Sequence, residues 1–312
     1  MLKTFRTLLP YSRPFVHLNT TFCKEPLAKV HSVRPLRPFF RTYIMTETMS
    51  QPQIVTAACC IIGDEILNGK TRDSNANYLA KMLFDLGVEL KRIEVISDDR
   101  DEIAETVRKM SNKYDLVFTS GGIGPTLDDI TYSSIAHAFG LELKLDDATC
   151  QSMIDISSKR INDWSLTEAR KRMVIFPHPA EIVRTREDMW VPIVVVNGNV
   201  HILPGIPKLF ESLAHSLTPR ILDLIEKRGL KDTKFYRAQI ATSHNEGEIA
   251  PYLLDLQGRA SAVKIGSYPK WGTDSNGVRV VVSVVGRDEE QVKKYGDEVQ
   301  EKLNGWKYQE SE

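Results

Sequence analysis

Between Thr119 and Thr131 the chain reads Thr119-Ser120-Gly121-Gly122-Ile123-Gly124-Pro125-Thr126-Leu127-Asp128-Asp129-Ile130-Thr131. Three glycines in four positions let a backbone turn sharply and approach a ligand with no Cβ in the way. The amides of such a loop, with the N-terminus of a helix after it, make an anion site, and Ser120 and Thr126 add hydroxyl donors. The Gly-Lys-Ser/Thr ending of a Walker loop is missing. Asp128 and Asp129 stand directly behind the glycines. Two carboxylates there would repel a bare phosphate, so the pattern points to a divalent metal between them or to an aspartate that orients a nucleophile. An oxygen-rich site suits magnesium, manganese or cobalt better than zinc. The glycines alone are equally consistent with a plain strand-to-helix turn capped by Asp128 or Asp129.

Two further segments carry acids. Gly63-Asp64-Glu65-Ile66-Leu67-Asn68-Gly69-Lys70 is followed by Asp73, Asn75 and Asn77, and Ser97-Asp98-Asp99 lies downstream. Asp64 and Glu65 read either as site carboxylates or as loop and cap charges, and for Asp98 a helix cap is the competing role. The seven histidines form no metal-ligand pattern, and His178, His201 and His244 read as structural or surface residues.

The surrounding pattern says how these segments meet. Ile54 to Ile62 is almost wholly apolar and reads as a strand buried on both faces. Ala76, Leu79, Ala80, Leu83 and Leu86 recur at helical spacing before Gly87. Residues 88–96 are strand-like, and a helix capped by Ser97 or Asp98 carries Ile103, Ala104, Val107 and Met110. Leu116 to Thr119 is a short strand that runs into the glycine loop, and 131–139 is helical up to Gly140. This alternation predicts an α/β fold with a mostly parallel sheet and helices on both faces. The three polar segments then lie at the carboxyl ends of strands, where such folds bind ligands. Residues 148–173 read as helical, and short strands are expected near Ile182, at 193–196 and at 200–203. A turn at Pro204-Gly205-Ile206-Pro207 precedes a helix to about Lys227. After Gly229 the order becomes strand 234–242, helix 246–257, strands 262–268 and 278–285, helix 288–303, which is a small α+β domain. The domains expected are 52–228 and 230–305, with a tail at 306–312.

Composition narrows the class. Forty-one basic and 41 acidic residues balance, which argues against a general nucleic-acid or membrane-surface binder. The β-α-β-β-α order of the small domain is loosely KH-like, but the Gly-x-x-Gly clamp is absent and Ser243–Glu248 is acidic. Cys23, Cys59, Cys60 and Cys150 show neither zinc spacing nor a disulfide framework, and Cys59 and Cys60 belong to an apolar, core-like run. Residues 1–48 are Arg-rich and acid-poor, the pattern of a mitochondrial transit peptide or of a disordered basic segment. Initiation at Met45 or Met49 would give a cytoplasmic form.

Gly63-Asp64-Glu65-Ile66-Leu67 and Gly121 to Thr131 resemble the paired signatures of the molybdopterin-binding (molybdenum cofactor biosynthesis) domain superfamily, which includes MoaB- and Mog-like proteins. Asp64 to Pro207 and Ile265-Gly266-Ser267-Tyr268-Pro269 are similar to the N-terminal molybdopterin-binding-like domain of eukaryotic FAD synthase, and more distantly to CinA-type proteins. The resemblance covers about residues 52–305. It implies a three-layer α/β/α sandwich, often homo-oligomeric, whose glycine loop holds phosphates. It places Asp98 and Asp129 at an active site, with Asp128. It further implies metal-dependent pyrophosphate cleavage of FAD or an ADP-ribose-like dinucleotide. The metal is expected on Asp64, Asp128 and Asp129, the phosphates on Ser120, Gly121, Gly122, Gly124 and Thr126, with Glu65, Asn75 and Gly205 lining the pocket. The partner expected is a nucleotide or pterin, with no tightly bound organic cofactor. Molybdopterin or nucleotide binding without turnover, or molybdopterin adenylyl transfer, is the alternative. Molybdopterin-type relatives carry an Asn-Pro-x-Gly-Thr-Ala-Pro-Gly-like stretch where this chain reads Met189 to Asn197, a departure that counts against pterin. FMN adenylyl transfer is not expected, because the synthase half has no counterpart before Glu312.

Overall fold

The structure, a computed structural model, describes residues 54–230, 233–270 and 277–309. The presequence expectation and Cys23 therefore lie outside the described residues.

The apolar run at the start forms β1 (Thr56–Ile62), followed by α1 (Asp64–Leu67), α2 (Asn75–Asp85), β2 (Glu89–Ile96), α3 (Arg100–Lys113) and β3 (Leu116–Ser120). Next come α4 (Thr131–Phe139), β4 (Glu142–Leu145), α5 (Asp147–Arg160), α6 (Glu168–Arg172), β5 (Ile175–His178), β6 (Glu181–Val183), β7 (Ile193–Val196), β8 (Val200–Leu203), α7 (Pro207–Ser216) and α8 (Thr218–Lys227). The sheet runs β2-β1-β3-β8-β7-β6. Pairings among β2, β1, β3 and β8 are parallel, whereas β7 and β6 add antiparallel. Cys59 and Cys60 are both fully buried, but on opposite faces. Cys59 packs with Leu79, Leu83, Phe210 and Ile221 beneath α2, α7 and α8. Cys60 packs with Ile103, Met110, Ile135 and Met153 beneath α3, α4 and α5. These are the three layers, and both faces being covered explains the unbroken apolar strands.

The structure departs from the pattern in several places. The cap of α3 is Asp99, whose carboxylate accepts from the Asp101 and Glu102 amides, rather than Ser97 or Asp98. Residues 148–173 are two helices, α5 and α6, with residues 161–167 between them. The helix expected up to Lys227 is broken at Leu217, where Thr218 and Pro219 start α8, because proline suits a helix's first turn but not its interior. The antiparallel pairing of β4 with β5, which brackets α5 and α6, was not anticipated.

The small domain holds β9 (Tyr236–Thr242), α9 (Glu246–Arg259), β10 (Val263–Pro269), β11 (Val280–Gly286), α10 (Glu289–Lys302) and β12 (Trp306–Lys307), in the antiparallel order β10-β11-β9-β12. Its sheet therefore extends past residue 305, through the start of the segment expected to be a tail. At its junction with the larger domain Phe84 and Phe235 stack with centroids 4.9 Å apart, Arg237 lies 4.3 Å from Phe84, and Arg287 lies 4.0 Å from Phe235. Arg287 also donates to the carbonyls of Gly87 and Thr233. An open cleft of about 1560 Å³ runs along this junction; its lining includes Asn77 but no residue of the glycine loop, of Gly63–Lys70 or of Ser97–Asp99. No described helix is long and apolar enough to cross a membrane.

Asp115 fastens the start of the sheet. Its carboxylate accepts from Thr56 N (2.7 Å), Thr56 Oγ1 (2.8 Å) and Arg228 Nη2 (2.5 Å). Burial works against its ionisation, yet the Arg228 and Thr56 hydrogen bonds and the Arg228 charge outweigh it and hold the carboxyl below its ordinary range. A depressed folded-state pKa adds stability that is present above the unfolded value of about 3.9 and is lost as pH falls through the folded value. Asp115→Asn is expected to cost about 1–2 kcal/mol at pH 7, as a partly exposed charged hydrogen-bond group should. The gap from the parent should shrink below about pH 4, as read by urea unfolding across pH.

Candidate functional site

Parallel register brings the motifs together. Ile62 pairs with Ile96, Ile61 with Ser120, and Ser120 with Leu203. The strands end level, so Gly63, Ser97, Gly121 and Pro204 leave the sheet side by side.

The glycines are needed by sterics rather than by flexibility. Gly121 has φ +111°, and a Cβ there would lie 2.1 Å from the Ile62 carbonyl oxygen. Gly122 has φ +64°, and its Cβ would lie 2.3 Å from Thr131 Oγ1 and 3.5 Å from Asp98 Oδ1. Gly205 closes the other side, with a Cβ position 3.3 Å from the Gly121 Cα. Thr131, buried at the start of α4, donates from Oγ1 to the Gly121 carbonyl (2.9 Å) and from its amide to the Gly122 carbonyl (3.0 Å). The amides of Gly122, Ile123, Tyr132 and Ser133 have no acceptor among the described residues. They are what an anion at a helix N-terminus requires.

The carboxylates divide into two kinds. Asp129 accepts from the Gly124 amide (2.6 Å), the Thr126 amide (2.8 Å) and Thr126 Oγ1 (2.5 Å). Both its oxygens are engaged by the loop, so the structure makes Asp129 the loop's internal fastener. It also engages the Thr126 hydroxyl expected for phosphate. Asp128 beside it is exposed, and the neighbouring Thr126 and its own backbone amide hold its carboxyl below the ordinary range.

Asp98 is half-buried and accepts the Asp64 amide on Oδ2 (3.0 Å), while Oδ1 is the oxygen nearest Gly122. Burial and the nearby charges of Asp64, Glu65 and Asp128 push its carboxyl above the usual range, against the Asp64 hydrogen bond. Asp64 opens the short α1 and is exposed, and Glu65 folds back over Gly63. No ion pair to a Lys or Arg is made by Asp64, Glu65, Asp98 or Asp128 among the described residues. Nor do three or more His, Cys, Asp or Glu side chains form a ready metal cage among them. Of the expected ligand trio, Asp64 and Asp128 are exposed and Asp129 is hydrogen-bonded within the loop.

Asn75 knots the floor. It is 4% exposed, and its Nδ2 donates to Ser120 Oγ (2.9 Å) and the Gly205 carbonyl (2.8 Å). Its Oδ1 has no partner, and Asp73 caps the helix around it. Ser120 is thus buried and tied to the scaffold. Two contributors escaped the sequence reading. Thr131 was signalled only by its place after the loop. Arg172, which donates from Nη2 to the Pro125 carbonyl (2.5 Å), lies 47 residues away and carried no signal in spacing. His201 is buried and stacked on Phe118, and burial lowers it to about 4, a structural role.

Residues 58–223 match the family described as "Probable molybdopterin binding domain", and residues 234–312 match "FAD synthase, middle domain". The chain is 34% identical to a "Probable FAD synthase" of Caenorhabditis elegans over 244 residues, 72% of this chain and 46% of that one. It is 33% identical over 199 residues to a protein of Saccharolobus islandicus, covering 62% of this chain and 73% of that one. The chain spans about half the length of the FAD synthase relatives it matches. Among solved structures it is similar to CinA of Thermoplasma acidophilum, described as of unknown function, at 32% identity and a TM-score of 0.48, over 54% of this chain and 99% of that one.

The division of labour between the adjacent aspartates can be measured. Asp129→Asn leaves at most one oxygen for three donors and should destabilise the domain by about 1–2 kcal/mol in thermal unfolding. Asp128→Asn should leave the melting temperature unchanged.

Proposed function

The chain belongs to the molybdopterin-binding-domain family, and from that premise we propose that it is a nucleotide diphosphatase that cleaves FAD, or an ADP-ribose-like dinucleotide, at the pyrophosphate. The observation that carries the reading is the juxtaposition of unpaired loop and helix amides with the free Oδ1 of Asp98 across Gly122. The match of residues 234–312 to the FAD synthase middle domain supports a flavin dinucleotide as the first substrate to try.

The diphosphate binds against the amides of Gly122 and Ile123 and the start of α4, which face negative charge without reorganising. Gly121 and Gly205 let it approach the backbone. Asp98, with its raised pKa, accepts the proton of the attacking water. Water adds to phosphorus, the bridging P–O bond breaks, and FAD becomes FMN and AMP. Asn75 and Thr131 hold the loops in register but do not react.

The unneutralised field of Asp64, Glu65 and Asp128, which raises Asp98, fits a magnesium, manganese or cobalt ion. The absence of a complete protein cage is compatible with this, since magnesium commonly takes one or two carboxylates and completes its shell with phosphate oxygens and water. Asp64 and Asp128, with Glu65 beside them, would hold it. When bound, the ion would neutralise charge on the diphosphate.

Purified protein with FAD and each of the three metals is expected to release AMP, followed by mass detection. Asp98→Asn should lower kcat by about 10²–10⁴-fold with a melting temperature no lower than the parent's, since the charge it removes is held at a cost. It should also remove the acid limb of the pH–rate profile, because the parent rate rises as Asp98 deprotonates. No AMP with any metal would sink the proposal. Tight retention of a pterin or nucleotide without cleavage would favour a binding protein instead.

A further inference from the structure

A diphosphate site bounded by four carboxylates calls for positive charge from the protein, and the motifs contain a single cation, Lys70, which makes no hydrogen bond to the glycine loop among the described residues. Among the described residues, Arg172 is the cationic side chain hydrogen-bonded to the glycine loop, through the Pro125 carbonyl. The setting of that bond matters more than its length. The acceptor is neutral, and no carboxylate pairs with Arg172 among the described residues. A guanidinium has five N–H donors, and the Pro125 bond engages one of its nitrogens.

The backbone that carries Arg172 is firmly placed. Thr167 caps α6 by accepting the Arg170 amide (3.3 Å). Met173 packs against the core under α3 and α5, and Val174 is fully buried. The neighbouring cation is committed elsewhere: Arg170 bonds the Ser165 carbonyl (2.5 Å) and lies 5.0 Å from the Trp164 ring centroid. Arg172 is thus anchored at its Cα, free at its fork and parked at the rim of the loop whose amides lack acceptors.

We propose that Arg172 is a phosphate-binding residue of this site. Its fork leaves the Pro125 carbonyl for two oxygens of one phosphoryl group, while the amides of Gly122 and Ile123 take the other. Planar, permanently charged and bidentate, arginine suits a phosphate in a way lysine does not. The inference rests on the preceding reading only in assuming that the ligand is a diphosphate, and it can be tested without turnover.

Calorimetric titration of ADP in magnesium buffer, into the parent, Arg172→Lys and Arg172→Gln, tests it. Arg172→Gln is expected to weaken ADP at least tenfold and to flatten the salt dependence of binding. Arg172→Lys should keep the salt dependence but recover only part of the affinity. Melting temperatures should match the parent, and where FAD is cleaved, KM should rise more than kcat falls. Equal ADP affinity in parent and both variants overturns the proposal, as does a parent that binds no ADP. Arg172-dependent ADP binding with no FAD cleavage leaves this inference standing and the diphosphatase reading refuted. FAD cleavage with unchanged KM and ADP affinity in Arg172→Gln does the reverse.

Discussion

The approach of Gly121 to the Ile62 carbonyl is the constraint on which the site depends. No side chain fits between them, since a Cβ would come within 2.1 Å of that oxygen. The loop after β3 is therefore laid directly over the end of β1, with Gly205 pressing from β8. Parallel strands that end level make this crossing possible, and the Asn75 amide then ties the β3 and β8 ends to the start of α2. Moving any one strand by a residue would separate the amides of the loop from Asp98. The scaffold is rigid here because its hydrogen bonds are spent on itself. The amides left over are those that face outward.

Charge is distributed unevenly around that crossing. The donors are the free amides, the start of α4 and Arg172. Beside them, Asp64, Glu65, Asp98 and Asp128 interact with one another without a basic partner among the described residues. Burying Asp98 among these charges costs stability, and a fold selected for stability alone would place a lysine or arginine there. Perturbed carboxyls of this kind gather at working sites because binding or chemistry offsets their cost. On the proposed function, the ligand that would resolve both halves is an anion carrying its own cation, as a nucleotide diphosphate with a divalent metal does.

Much of this was legible in the sequence. Unbroken apolar runs and helical spacing gave the β-α alternation, and from it followed the clustering of three polar segments at one end of the sheet. The short strands β6 and β7 were expected near Ile182 and at 193–196, but their antiparallel direction and the α7–α8 break were not visible in that way. Strands of three and four residues carry little periodicity, and one proline at Pro219 marks a break only when the preceding turn is known to be helical. Within the site, residues adjacent in sequence were readable and residues joined only by folding were not. Arg172 reaches Pro125 across 47 residues, from the end of α6 between the paired strands β4 and β5, a path with no counterpart in spacing.

Asp128 and Asp129 show most clearly where sequence reasoning stops. As neighbours of one type they appear interchangeable, and a shared metal is the natural reading of two adjacent acids behind a glycine loop. A loop turn points consecutive side chains in different directions, however, so only one can face inward. Asp129 does, and three donors from Gly124 and Thr126 engage it. Without that internal acceptor, the amides of Gly124 and Thr126 would turn toward water, and the loop would lose the shape that presents Gly122 and Ile123. With it, Asp128 is left outside, free of structural duty and exposed to whatever binds. One aspartate makes the cradle and its neighbour borders what the cradle holds, an asymmetry fixed by backbone direction rather than by residue type.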